Sequence, residues 1–152
     1  MDLPLRAAMP SDLTYLVAID AQSPGGGWNL ASFARELELA WSNVVVVEGE
    51  IEGKEAPAVV GFVVFWRGVD EAEIMNVAVS PTVRRQGVGR RLVEHVVRSA
   101  RSSGATRVLL EVRRSNAAAQ GLYQALGFVE TGVRPNYYQR ENEDAILMEL
   151  AL

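Results

Sequence analysis

The feature that most constrains the fold is a strand-to-helix junction near the middle of the chain. The apolar run Val77-Ala78-Val79 is followed by a Ser-Pro turn, by a basic loop containing Gly87 and Gly89, and then by an amphipathic helix. Because glycine has no Cβ atom, the loop backbone can adopt unusual dihedral angles and an anion can approach it closely. The first N–H groups of the helix lack intrahelical partners and carry the positive end of its dipole. The junction predicts a cradle for a pyrophosphate group; an ordinary turn with exposed arginines is the alternative.

The spacing of this loop excludes two well-known phosphate-binding motifs. It does not match G-x-x-x-x-G-K-[ST], so it is not a P-loop, and it lacks the third glycine of G-x-G-x-x-G. What remains is Arg84-x-x-Gly87-x-Gly89 followed by a helix.

Length and composition indicate one compact domain over residues 1–152. Hydrophobic residues make up 49% of the chain, but no run approaches the ~18 apolar residues of a membrane span. The segment Met1–Arg6 lacks the basic and then apolar pattern of a signal peptide. With no cysteine, the chain has neither a disulfide framework nor a thiol nucleophile. We therefore expect a cytoplasmic protein that does not bind a membrane.

Charge and histidine content exclude further classes of function. A net charge of −4 and a pI near 5.1 argue against a general nucleic-acid-binding protein and mildly favour a cationic substrate. The one histidine, His95, falls in the middle of a predicted helix. We therefore expect neither a Ser-His-Asp triad nor a His-Cys metal site, and assign no metal ligands.

Strand and helix patterns alternate along the chain, which predicts an α/β fold with a mixed central sheet. The predicted strands are Leu3–Met9, Val44–Val47, Val59–Trp66, Glu73–Val79, Arg107–Val112, Phe128–Tyr138 and Asp144–Leu150. The predicted helices run from a cap at Pro10-Ser11-Asp12 to Ala21, from a cap at Asn29 to Ala40, from the glycine loop past Ala100 to a stop at Gly104, and from Ala117 to Leu126. A flexible break is expected at Ser23–Gly27.

A second informative stretch begins where a carboxylate, Glu111, interrupts an apolar strand near its end. Strand alternation alone could place this side chain on a solvated face, whereas burial would raise its pKa and make it a better base near neutral pH. Asn116 precedes three alanines, so its simplest role is a helix N-cap. Tyr123 follows seven residues later, about two helical turns, and so shares a face with Asn116; core packing is the alternative role for Tyr123.

These motifs together resemble the GNAT acetyltransferase superfamily. Its loop signature [Q/R]-x-x-G-x-[G/A] fits residues 84–89, and the segment from Leu110 to Phe128 resembles the ribosomal-protein-alanine N-acetyltransferase (RimI) branch. Three other segments also resemble that branch, so that the similarity extends over nearly the whole chain: residues 28–37, 71–79 and 134–148. The resemblance implies a GNAT acyl-CoA N-acyltransferase fold, a mixed, mostly antiparallel sheet of about seven strands flanked by four helices.

The resemblance also implies a role for individual residues. Glu111 would take the proton from the attacking amine, through water, and Tyr123 would protonate the departing thiolate of CoA. The residues expected to bind acetyl-CoA are Val77, Ala78, Val79, Arg84, Arg85, Gln86, Gly87, Val88, Gly89, Arg90, Asn116 and Tyr123. The candidates for the peptide groove are Trp28, Glu36, Glu73, Tyr137 and Tyr138; each has a structural alternative, the aromatic residues as core and Glu36 as a solvated helix residue.

The reaction implied is direct acetyl transfer from acetyl-CoA to a protein α-amino group, in this branch the N-terminal alanine of ribosomal protein S18. An α-amino group has a pKa of about 7.7–8.0, against about 10.4 for lysine, so part of it is already neutral and one modest base suffices. Two alternatives stay open: a GNAT enzyme acting on a small amine or lysine, and a catalytically silent acyl-CoA-binding subunit. We expect a monomer or a weak dimer.

Overall fold

A computed structural model describes residues 3–24, 26–51 and 53–152. Over these residues the protein has a seven-stranded sheet and four α-helices. The strands are β1 (Leu5–Ala7), β2 (Ser42–Gly49), β3 (Ala58–Arg67), β4 (Glu71–Val79), β5 (Arg107–Arg113), β6 (Val129–Tyr138) and β7 (Glu143–Ala151). The helices are α1 (Leu13–Ala21), α2 (Leu30–Glu38), α3 (Val88–Ser102) and α4 (Ala117–Ala125). The strand order is β1-β2-β3-β4-β5-β7-β6, with only β4 and β5 parallel among these pairs, which confirms the predicted mixed sheet.

The helices cover both faces of the sheet and create two apolar cores. The apolar stripe of α3 (Leu92, Val93 and Val96) is fully buried against one face, together with Tyr123 of α4. Helices α1 and α2 pack on the other face through Leu16 and other apolar residues. Strand β3 contributes alternate residues to the two cores, and its uninterrupted apolar sequence is therefore explained by burial on both sides.

The geometry of β4 opens the sheet at its centre. The register between β3 and β4 shifts so that Val64 pairs with Asn76 and Phe65 with Ile74, which leaves Met75 as the extra residue of a β-bulge. On its other side β4 pairs with β5 only over Glu71–Ile74. Beyond Ile74, β4 and β5 are no longer paired, and a gap separates them on the way to Val79.

Several local predictions are confirmed. The side chains of Asn29 and Asn116 cap α2 and α4 by accepting the N–H groups of the residues three positions later, at 2.9 and 3.2 Å. Gly104, with φ +83°, follows the end of α3 in the left-handed conformation that glycine adopts readily.

Other local predictions need correction. β1 is shorter than predicted, and α2 ends at Glu38 rather than Ala40. Asp12 does not cap α1 with its side chain, and a 3-10 turn at Pro10–Asp12 precedes the helix. The Asp12 carboxylate instead accepts a hydrogen bond from the Met9 N–H and forms an ion pair with Arg6. Gly25, inside the predicted flexible break, lies outside the described residues. In the described part of the chain, no helix is long and apolar enough to cross a membrane.

Candidate active site

A cavity of about 330 Å³ lies where β4 and β5 diverge. Its walls come from both strands, from the end of α1 and the segment after it, from α4, and from the end of β6. The lining residues are Asp20, Ser23, Pro24, Trp28, Glu73, Ile74, Met75, Asn76, Val77, Leu110, Glu111, Val112, Arg113, Asn116, Tyr123, Tyr137 and Tyr138. Eight of the candidate site residues predicted from the sequence therefore line this cavity, including both proposed catalytic residues.

Two carboxylates meet in the cavity. Glu111 is partly buried, with its side chain 21% exposed, and its Oε1 lies 3.0 Å from Nε of Arg134. Glu73 lies on the neighbouring strand, and its pKa is raised above the ordinary value, first by burial and then by the negative charges of Glu111 and Glu71. The cavity is thus electronegative on this side, which suits a cationic amine.

Tyr123 reaches the cavity from α4. The residue is only 5% exposed, and its ring lies 5.8 Å from that of Phe128, so it is both a core residue and a lining residue. Burial raises the pKa of the Tyr123 hydroxyl to about 12, and it is therefore protonated at neutral pH. Asn116 caps the same helix and lines the same cavity, as the spacing of seven residues predicted.

Aromatic side chains form the outer wall. Tyr137 and Tyr138 contact edge to face with their centroids 5.1 Å apart, and the guanidinium of Arg113 lies 3.9 Å from the ring centre of Tyr138. Such a cation–π contact fixes the position of the ring. The indole of Trp28 also lines the cavity, and its centroid lies 5.1 Å from that of the buried Phe33 ring. Trp28 is therefore both a lining residue and a residue packed against the core.

The glycine loop has the geometry of an anion cradle. Gly87 adopts φ +77° and Arg85 adopts φ +66°, and the amides that follow lead into the first turn of α3. Backbone in this conformation directs successive N–H groups to one side, where they bind an anion. The loop is basic and mostly exposed, and Arg84 differs from its neighbours because it donates a hydrogen bond of 3.0 Å to the carbonyl of Gln22.

Strand β4 offers one unpaired edge next to this loop. Val77, Ala78 and Val79 pair with β3 on one side, whereas no strand of the described residues pairs with them on the other. An extended ligand can hydrogen-bond to such an edge as an added strand does. The open edge, the loop amides and the basic side chains together fit a pantetheine arm that ends in a pyrophosphate. Val88 and Gly89 are the first two residues of α3. Gln86 precedes the N-cap Gly87, and Arg90 lies in the first turn of the helix.

Glu36 lies outside this cavity. It is buried on α2, where its carboxylate accepts hydrogen bonds from Ser42 Oγ at 3.0 Å and from Trp66 Nε1. It lines a separate cavity of about 220 Å³. Glu36 is therefore neither a groove residue nor the solvated helix residue that was its alternative; its contacts connect α2 to β2 and β3.

The sequence reasoning missed several lining residues. Asp20 and Asn76 are joined by a hydrogen bond of 2.9 Å, and the guanidinium of Arg113 lies against the ring of Tyr138. Arg134 is not a lining residue, but it forms an ion pair with the lining residue Glu111. An aspartate inside the apolar sequence of α1 was the available signal for Asp20. His95 does not line the cavity; it packs edge to face on Phe65, and burial lowers its pKa. Among the described residues there is no cluster of three or more His, Cys, Asp or Glu side chains able to hold a metal ion.

Similarity to known proteins shows the class to which this chain belongs, an acetyltransferase family. The family model described as Acetyltransferase (GNAT) family matches residues 13–128, and the chain belongs to this family. Over 144 residues it is 37% identical to the [ribosomal protein bS18]-alanine N-acetyltransferase of Escherichia coli K12, with 93% of each chain covered.

Solved structures agree with this assignment. The crystal structure of the ribosomal-protein-S18-alanine N-acetyltransferase from Escherichia coli superimposes with a TM-score of 0.84 at 33% identity, over 99% of this chain and 94% of that one. The structure of Arabidopsis thaliana NAA60 in complex with acetyl-CoA gives a TM-score of 0.89 over 99% of both chains; at 18% identity this likeness shows the fold. The similarity to the GNAT superfamily and to its ribosomal-protein-alanine branch is thereby confirmed.

Proposed function

We propose that the protein transfers an acetyl group from acetyl-CoA to the N-terminal α-amino group of a protein, with the N-terminal alanine of ribosomal protein bS18 as its substrate. The observation that carries the proposal is the meeting of Glu111 and Tyr123 in one cavity between the diverging strands. The similarity to the Escherichia coli enzyme over 93% of the chain supports this choice of substrate. The reaction takes place in the cytoplasm, where ribosomal proteins are made.

Glu111 acts as the base in this mechanism. Its carboxylate takes a proton from the ammonium, through a water molecule, and the neutral nitrogen can then attack an acyl carbon. Arg134 fixes the carboxylate from the solvent side at 3.0 Å. An α-amino group needs only modest help because its pKa, about 7.7–8.0, is close to neutral. Most of the acceleration then comes from holding the amine against the thioester.

Tyr123 acts as the acid. The bound acetyl-CoA supplies a thioester, whose carbon–sulfur bond breaks as the new amide bond forms. The Tyr123 hydroxyl gives its proton to the sulfur as the thiolate leaves. Burial and the pKa of about 12 keep this hydroxyl protonated over the whole physiological range. Glu111 passes the first proton of the ammonium to solvent. The nitrogen loses a second proton as the amide forms, and through water this proton replaces the one that Tyr123 gave to the sulfur, so that both groups regain their starting state.

The remaining residues bind the two substrates. Backbone groups of Val77–Val79 pair with the pantetheine arm, and the loop amides with Arg85 and Arg90 bind the pyrophosphate. Trp28, Tyr137 and Tyr138 surround the first residue of the acceptor, and Glu73 with Glu111 favours its positive charge.

Release of CoA in the presence of acetyl-CoA and three acceptors tests the proposal. The acceptors are a peptide that begins Ala-Arg-Tyr with a free N-terminus, an N-blocked lysine peptide and a small polyamine. We expect turnover on the first alone, lost in Glu111→Gln and retained in Glu130→Gln, which changes an exposed carboxylate outside the cavity. Turnover mainly on the other two would replace the proposed acceptor with a small amine or lysine. Binding of acetyl-CoA without turnover on any acceptor would favour a silent acyl-CoA-binding subunit.

A further inference from the structure

A buried carboxylate that the mechanism does not use lies beside the cavity. Asp20, in the last turn of α1, is only 3% exposed. Its Oδ2 accepts the backbone N–H groups of Gly27 and Trp28, at 3.1 and 3.0 Å, and its Oδ1 accepts Nδ2 of Asn76 at 2.9 Å. Both oxygens of this buried carboxylate thus have hydrogen-bond donors, and Asp20 connects the segment before α2 to the bulged part of β4.

The segment on one side of Asp20 is fitted closely to the end of α1. Ser23 Oγ donates to the Ile19 carbonyl at 3.0 Å, and the Gly26 N–H donates to the Ser23 carbonyl, also at 3.0 Å. A Cβ atom on Gly26 would lie 2.1 Å from the carbonyl oxygen of Asp20, so that only glycine fits there. Gly26 thus allows this segment to pack closely against the end of α1, rather than making it flexible. The backbone of Trp28 is held in a fixed position in the cavity wall.

On its other side Asp20 fixes the orientation of an amide. Asn76 lies next to the extra residue of the bulge and lines the cavity. Because Nδ2 donates to Asp20, the amide cannot turn over, and Asn76 presents its acceptor Oδ1 to a ligand, beside the second N–H of Nδ2. No donor among the described residues hydrogen-bonds to that oxygen.

We infer that Asp20 is a positioning residue for the acceptor amine. It acts through Trp28, which it holds as a wall of the cavity, and through Asn76, whose Oδ1 it presents to an N–H group of the acceptor. The inference rests on the proposed function, since it concerns the acceptor side of the same cavity. Acetyl-CoA binds along β4 and the glycine loop, so the effect of Asp20 falls on one of the two substrates.

Steady-state kinetics of Asp20→Asn and Asp20→Ala, with each substrate varied in turn, test this inference. Asparagine keeps one acceptor oxygen but places an NH₂ group against one set of donors. We expect the KM for the Ala-Arg-Tyr peptide to rise about tenfold in Asp20→Asn and further in Asp20→Ala, with the KM for acetyl-CoA unchanged. The matched control is Asp12→Asn, since Asp12 is also buried and also accepts three hydrogen bonds, outside the cavity.

Two results would overturn the inference. One is an Asp20→Asn variant whose KM for the acceptor equals that of the wild type. A KM for the acceptor that changes only together with the KM for acetyl-CoA counts as the same result, since the Asp12→Asn control should show no change specific to the acceptor. The other is fast hydrogen exchange at the Gly27 and Trp28 amides of the wild-type protein, since a bonded, preorganised segment requires slow exchange. If the wild type acetylates only lysine or a polyamine, the KM for that amine is compared between Asp20→Asn and the wild type in the same way. Failure of the proposed acceptor is therefore distinguishable from failure of Asp20.

Discussion

Glu73 and Glu111 project from neighbouring parallel strands onto the same face of the sheet. Glu73 pairs with Leu109, and Glu111 lies two residues further along β5, so the strand period of two brings both side chains to one side. Arg134 lies against Glu111, and burial together with the charge of Glu111 raises the pKa of Glu73. The paired carboxylates place negative charge where the two strands separate and where a cationic N-terminus has to enter.

Removing the base should slow the chemical step strongly but leave the binding of acetyl-CoA unchanged. We expect Glu111→Gln to lower kcat by about 10²–10⁴-fold, the usual contribution of a positioned general base. The affinity for acetyl-CoA, measured by calorimetry, should stay the same because Glu111 lies on the acceptor side. A variant that keeps its kcat would remove Glu111 from the mechanism.

Replacing Glu73 should change how stability depends on pH. A carboxyl group with a raised pKa binds protons more readily in the folded chain than in the unfolded one. The free energy of unfolding therefore falls as the pH rises from the unfolded pKa to the folded pKa, and it stays reduced at higher pH. Glutamine removes this loss, so we expect Glu73→Gln to have a higher Tm than the wild type at pH 8. The difference should vanish below about pH 4, where the glutamate is protonated in both states; a difference independent of pH would contradict the assigned shift.

Tyr123→Phe separates the hydroxyl from the packing of the ring. The ring is buried against Phe128, and phenylalanine preserves this contact, so the variant should fold with a Tm close to that of the wild type. We expect kcat to fall about 10²-fold or more, because no other group protonates the leaving sulfur. Since the pKa of Tyr123 is about 12, wild-type activity should show no loss from ionisation of this tyrosine between pH 7 and pH 10. Equal kcat values for the two proteins would show that Tyr123 is only a core residue.

The glycine loop should respond to a change of backbone freedom alone. An added Cβ at Gly87 would meet no atom within 4 Å, so the cost of Gly87→Ala comes from its φ of +77°. Relaxation toward negative φ would turn the loop amides away from the anion, and we expect the Kd for acetyl-CoA to rise about tenfold. Gly53→Ala is a matched control, since Gly53 also has a positive φ and open space but lies between β2 and β3, outside the glycine loop. Its Kd should equal that of the wild type; a similar rise in both variants would indicate a general effect on folding.

Sequence patterns predicted much of the fold because its signals are local. The apolar runs of β3 and the stripe of α3 record burial directly, and Asn29 and Asn116 cap their helices within three residues. The Glu111–Arg134 pair and the Asp20–Asn76 bond join residues far apart in the chain, and no local pattern encodes them. For Glu36 the helical position suggested exposure, but the Trp66 indole, thirty residues away, provides a buried partner.

The helix that carries Tyr123 contains a glycine that packing does not require. Gly121 is exposed in the interior of α4, and an added Cβ would contact nothing within 4 Å. Glycine in a helix interior is less favourable than alanine by about 0.8–1.0 kcal/mol, so Gly121→Ala should raise the free energy of unfolding by that amount. The change should appear in urea denaturation as a higher midpoint with an unchanged m-value. Because Tyr123 keeps its contacts, kcat should stay the same; a large fall in kcat would indicate that α4 has to bend at Gly121 during turnover.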